Sequence, residues 1–118
     1  MVGSDRFEEL ISPDKVARRI KEMGAQITRD YADKELVLVG ILKGSVFFMA
    51  DLARNIDLPI TMDFLGLSSY GDATRSSGVV RITQDLTNPI GGKHVLVVED
   101  IVDSGLTLRF LKENFDSR

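Results

Sequence analysis

Residues 95–98, Val95-Leu96-Val97-Val98, are four aliphatic residues with no polar residue alternating among them. A strand with one wet face alternates. A run that does not alternate is covered on both faces, as in a parallel sheet packed between helices. Two carboxylates, Glu99 and Asp100, follow at once. A third, Asp103, opens a short turn of small and hydroxyl residues, Ser104-Gly105-Leu106-Thr107, and a helical pattern comes next. Strand, small-residue turn and helix start together aim backbone N–H groups at a phosphate. Ser104 and Thr107 add hydroxyl donors, and Gly105 allows close backbone approach.

Charge separates the roles within this stretch. Carboxylates repel phosphate, so Glu99 and Asp100 suit sugar hydroxyls or a magnesium ion, which takes oxygen ligands. The stretch therefore reads as a ribose-phosphate site, with hydroxyls on the acid pair and a 5′-phosphate in the turn. The residues alone also fit a buried strand that ends in a solvated acidic turn.

A second unbroken apolar run, Leu36-Val37-Leu38-Val39-Gly40-Ile41-Leu42, is followed immediately by Lys43-Gly44-Ser45 and then by a helical pattern through Val46, Phe47, Phe48, Met49 and Leu52. A lysine and a glycine at the carboxyl end of a buried strand suggest a second anion site. The spacing of a Walker A loop is absent, and an exposed lysine on a plain strand–helix turn fits the same residues.

Ahead of these, Ser12-Pro13-Asp14 has the composition of a helix start. Val16, Ile20, Met23, Ile27 and Tyr31 then recur at steps of three and four, an apolar stripe that covers a sheet. Gly24 weakens that helix without ending it. A third strand is expected over Ile60–Leu67. Residues 68–78 lack apolar periodicity and are rich in glycine and serine, which predicts a loop, and a return strand follows from Val79. Asn88-Pro89 and Gly91-Gly92 mark turns. Leu108, Leu111 and Phe115 mark a final helix face after Thr107. Three buried-strand patterns alternating with helical ones predict an α/β fold with a largely parallel sheet.

Composition excludes several chemistries. The chain has 118 residues, one domain's worth. With no cysteine there is no disulfide, thiolate nucleophile or cysteine-bound zinc. The single histidine, His94, cannot build a histidine metal site, and it precedes a strand at the end away from where ligands bind in such sheets. A net charge of −3 leaves no basic footprint for nucleic acid. No apolar run approaches the roughly 20 residues of a membrane span, and the first residues lack the apolar core of a signal peptide. A cytoplasmic protein is the expectation.

The stretch Val98-Glu99-Asp100-Ile101-Val102-Asp103-Ser104-Gly105-Leu106-Thr107 resembles the phosphoribosyl-pyrophosphate (PRPP) motif of the type I phosphoribosyltransferases, and most resembles their bacterial hypoxanthine-guanine branch. The register of hydrophobic run, acid pair, third acid and hydroxyl turn makes that signal specific. Leu42-Lys43-Gly44-Ser45 is similar to the family's pyrophosphate loop, in which the peptide before the lysine can be cis. A cis bond is thus expected at Leu42–Lys43.

The resemblance implies a three-layer phosphoribosyltransferase-like fold over residues 1–118, with the lysine strand beside the acid-pair strand. One PRPP molecule would have its pyrophosphate at Leu42, Lys43 and Gly44 and its ribose hydroxyls at Glu99 and Asp100. Its 5′-phosphate would rest on Asp103, Ser104, Gly105, Leu106 and Thr107. Magnesium would be held near Glu99 and Asp100, mainly through the ribose hydroxyls. A 6-oxopurine nitrogen would attack C1 with loss of pyrophosphate, through an oxocarbenium-like state. Asp103 would exchange a proton with the purine or stabilise charge on it. Ser69-Tyr70 would sit on a loop that closes over the reacting centre and excludes water.

The resemblance also implies missing parts. Family members continue with further strands and a hood over the purine, which this chain lacks, so base choice rests on branch resemblance alone. Without those strands the acid-pair strand becomes a sheet edge, a template for pairing with another chain. A homo-oligomer is expected, unless the chain is part of a longer or split protein. Two rivals remain. A response-regulator receiver shares the strand and acid pair but needs far more chain after it. A non-catalytic PRPP-binding or regulatory protein on the same fold is the other.

Overall fold

The computed structural model describes residues 12–69, 80–99 and 105–118, and for 69 and 105–107 the backbone alone. Its elements run α1 (Pro13–Asp30), β1 (Leu36–Leu42), α2 (Val46–Arg54), β2 (Ile60–Ser69), β3 (Val80–Gln84), β4 (His94–Val98) and α3 (Gly105–Asp116).

The four strands form one sheet in the order β3-β2-β1-β4. β1 is parallel to both β2 and β4, with Leu36 opposite Ile60 on one side and His94 on the other. β3 returns antiparallel to β2. The unbroken aliphatic run of β1 has the predicted cause, because successive side chains enter different layers. Leu36 and Leu38 join Met49, Leu52, Ile56 and Val98 in a core that α1 covers with Ile20, Met23, Ile27 and Tyr31. Val37, Val39 and Ile41 join Leu65 and Leu111 on the opposite face, with Phe115 of α3 packed against them. Two helices, a sheet and a third helix make the three layers. No helix among the described residues is long and apolar enough to cross a membrane.

α1 starts as its sequence dictates. The Ser12 side chain accepts from the Lys15 N–H, with proline first in the helix and Asp14 in the first turn. The stripe packs from Ile20 onward, but Val16 stays 44% exposed, because the first turn of α1 reaches past the core. Gly24 does not end the helix. It lies buried where α1 meets the end of α2, and a Cβ there would run into the Asn55 carbonyl and side chain. Gly40 plays a similar part in β1: it stands opposite Val98 and leaves the space that Met49 of α2 and the Phe64 ring fill.

Three boundaries differ from the sequence reading. β2 runs on through Ser68 and Ser69, which pair with Arg81 and Val80, so ladder bonds to β3 take two residues from the expected loop. β4 begins at His94, whose N–H donates to the Glu35 carbonyl at 3.0 Å. α3 begins at Gly105 rather than after Thr107, so Gly105, Leu106 and Thr107, read as part of a turn, form the first helical turn. A helix start leaves its first N–H groups unbonded, so weak helix formers are tolerated there.

The connection from β3 to β4 is pinned from below. Asp63, 5% exposed in the middle of β2, accepts from the backbone N–H groups of Thr87 at 2.9 Å and Asn88 at 3.2 Å, and from its neighbour Phe64 at 2.8 Å. Burial pushes its pKa up, but the bonds from Thr87, Phe64 and Asn88 together outweigh burial and hold the carboxyl below its usual value. Nearby, the Leu86 N–H, and after it the Arg118 guanidinium, hold the Asp85 carboxyl down in the same way.

Candidate functional site

The topology brings the two sequence-predicted stretches together. β1 and β4 are neighbours and parallel, with Gly40 opposite Val98. From β1 the chain leaves through α2 towards β2 on one side, while β4 lies on the other. Such a divergence opens a crevice at the carboxyl ends of the two strands, where open α/β sheets bind ligands. Leu42 ends β1 at this crevice, and Glu99 follows β4 beside it.

On the β1 side, the Leu42–Lys43 peptide is cis, as the family resemblance implies. Lys43 and Gly44 are exposed and Leu42 is half-buried. The loop is short and tied at its base. Val46 N–H donates to the Lys43 carbonyl at 3.2 Å, and the buried Ser45 hydroxyl donates to the Ile41 carbonyl at 2.5 Å.

On the β4 side, Glu99 is half-buried directly after the strand. Gly105, Leu106 and Thr107 form the first turn of α3. Their backbone therefore opens a helix, the end that carries partial positive charge and unpaired N–H groups, which favours a phosphate. Asp100, Asp103 and Ser104 lie outside the described residues, and so does Tyr70. Ser69 closes β2, paired with Val80.

A groove of about 410 Å3 flanks this crevice on the α1/α2 face of β4, lined by Met23, Ile27, Tyr31, Leu96 and Glu99 among others. Neither Lys43 nor Gly44 lines it, so it adjoins the crevice and does not form it. His94 lies at the opposite end of β4, exposed, with its ring edge-on to Tyr31 at 6.0 Å.

Sequence reasoning passed over two residues. Asp63 sets the path into β4, and its one sequence signal is a lone acid inside the apolar run Ile60–Leu67. Ser45 was legible only as part of the lysine loop, because its partner Ile41 is brought to it by the turn itself.

The chain matches the family model of the phosphoribosyl transferase domain over residues 8–116. It is 51% identical to the hypoxanthine-guanine phosphoribosyltransferase of Streptococcus pneumoniae strain R6 over 118 residues, 100% of this chain and 66% of the relative. Against the enzyme of the same name from Dictyostelium discoideum it is 53% identical over 115 residues, 94% of this chain and 64% of the relative. The crystal structure of a Staphylococcus aureus hypoxanthine phosphoribosyltransferase superposes with a TM-score of 0.90 at 43% identity, covering 100% of this chain and 66% of that one. The chain thus spans about two thirds of the length of the curated relatives it matches. The match runs over nearly the whole chain, and the chain belongs to the phosphoribosyl transferase domain family.

Proposed function

We propose that this chain carries the PRPP-binding part of an enzyme that transfers the 5-phosphoribosyl group to a 6-oxopurine, hypoxanthine or guanine, giving IMP or GMP and pyrophosphate in cytoplasmic purine salvage. The observation that carries this reading is the adjacency of the β1 and β4 carboxyl ends. It puts the end of the strand that leads into Lys43-Gly44 beside the end of the strand that leads into Glu99, and that supports one ligand reaching both. Relatives named hypoxanthine-guanine phosphoribosyltransferase at about half identity support the choice of base.

In this reading Leu42, Lys43 and Gly44 take the pyrophosphate, and Glu99 and Asp100 accept hydrogen bonds from the ribose hydroxyls. Residues 103–107 take the 5′-phosphate on the start of α3. Asp103 would hold or receive a proton of the base, and Ser69 and Tyr70 would shield the reacting centre from water. The donor set suits magnesium. Glu99 and Asp100 are hard oxygen ligands, adjacent in the sequence. Magnesium is commonly held by one or two carboxylates plus substrate oxygens. Glu99 and Asp100 would hold it with the ribose hydroxyls, and it would neutralise charge on the departing pyrophosphate.

The test is nucleotide formation from hypoxanthine or guanine with PRPP and magnesium, with Asp103→Asn as control. Turnover is expected, with a loss of about 10²-fold or more in the variant. A chain that binds PRPP in calorimetry without turnover would overturn the catalytic reading and leave a binding core.

A further inference from the structure

Ser45 holds a position that neither helix formation nor sheet pairing explains. It stands directly before α2, where a serine ordinarily accepts from an N–H of the first turn. Here its side chain makes no such bond. It is fully buried (0% exposed), and its hydroxyl reaches back to the Ile41 carbonyl at the end of β1. That bond closes a ring around Leu42, Lys43 and Gly44, with Ile41 at one foot and Ser45 at the other. The Ser45 carbonyl in turn accepts from Met49 N–H at 2.8 Å, which ties the same foot into α2. The loop is thus exposed at its tip, Lys43-Gly44, and held by the buried Ser45 hydroxyl at its base together with the Val46 N–H on the Lys43 carbonyl.

We propose that Ser45 is a positioning residue for this anion loop. Its hydroxyl fixes the backbone path through Leu42-Lys43-Gly44 and so sets the affinity for the pyrophosphate end of the substrate. It has no part in holding the 5′-phosphate end, which belongs to the strand and helix on the other side of the crevice. The inference rests on the assignment of the loop to pyrophosphate made above. Its physical basis is that losing the buried Ser45–Ile41 bond leaves the Val46 N–H on the Lys43 carbonyl to hold the turn, so the tip moves more freely. Small displacements of a positioned group carry large penalties in binding and rate.

The experiment is calorimetry on the whole chain with three ligands: pyrophosphate with magnesium, PRPP with magnesium, and inosine monophosphate. Ser45→Ala should weaken pyrophosphate and PRPP roughly tenfold and leave the nucleotide unchanged. Ser45→Thr, which keeps a hydroxyl, should keep the wild-type ratio of pyrophosphate to nucleotide affinity. Equal weakening of all three ligands in the alanine variant would mean that Ser45 only supports the fold, and would overturn the proposal. So would unchanged pyrophosphate affinity, or a threonine ratio as low as that of alanine. A wild-type chain that binds nucleotide but not pyrophosphate would instead overturn the assignment of the loop, and the role of Ser45 with it.

Discussion

Asp63 shows how a single carboxylate can be made native to a core. Its oxygens face backbone N–H groups of Thr87, Asn88 and Phe64, so ionisation is matched by donors that cannot move away. Asp63→Asn turns an amide NH2 towards those same donors and should cost about 1–3 kcal/mol near neutral pH, read from denaturant midpoints. The sign of the pH dependence follows from the lowered pKa. A carboxyl that is more acidic folded than unfolded stabilises above its unfolded value, 3.8, and loses that stabilisation as pH falls through the folded value. The gap between wild type and Asp63→Asn should therefore be full at neutral pH and narrow on acidification below 3.8. A gap that stays constant down to the acid limit would show that the carboxylate charge is not what is being held. Residues of this kind set the limit on reading a site from sequence. Lys43, Glu99 and Asp100 announce themselves as charge placed directly after an apolar run, a local pattern. The meaning of Asp63 and Ser45 depends on partners that come near only once β3 has returned and the lysine loop has turned.

At the level of elements, periodicity identified every described helix and strand, while packing decided their ends. The apolar stripe of α1 was legible, but the reason for the glycine inside it was not. Gly24 lies against Asn55 at the end of α2, four residues from Thr28. The Thr28 hydroxyl donates to the Gly24 carbonyl at 2.8 Å and accepts from Asp57 N–H at 2.9 Å. This face of α1 therefore clamps the connection from α2 into β2. Gly24→Ala raises helix propensity by up to about 1 kcal/mol, yet it places a methyl group where Asn55 already stands. The clash should win, with a net loss of about 1–3 kcal/mol in thermal or denaturant unfolding. A neutral or stabilising result would mean that the two helices separate at little cost.

For the molecule as a whole, β4 pairs only with β1 among the described residues, and its residues Val95-Leu96-Val97-Val98 are all aliphatic. An edge of this composition invites a further strand. The 118-residue chain is expected to run as a dimer or larger species in size-exclusion chromatography with light scattering. A strictly monomeric profile would argue that the edge is blunted. The overall α/β plan was readable because two unbroken apolar runs fit little else. Nothing local in the sequence specified that β1 would stand at the centre and β4 beside it; that neighbour relation came from the family resemblance and is present in the sheet order.

That neighbour relation also has a meaning for the chain as a polymer. Leu36 meets Ile60 on one side and His94 on the other, so the second closure spans more than twice as much chain as the first. The entropy of closing a flexible loop grows only with the logarithm of its length, about 0.6 kcal/mol for each doubling. In equilibrium terms the distant strand is therefore hardly more expensive to recruit than the near one. In kinetic terms such non-local, parallel pairings make for slow folding. Since the crevice lies between β1 and β4, the two strands of the longer closure, no partly folded chain that lacks that closure has a crevice at all.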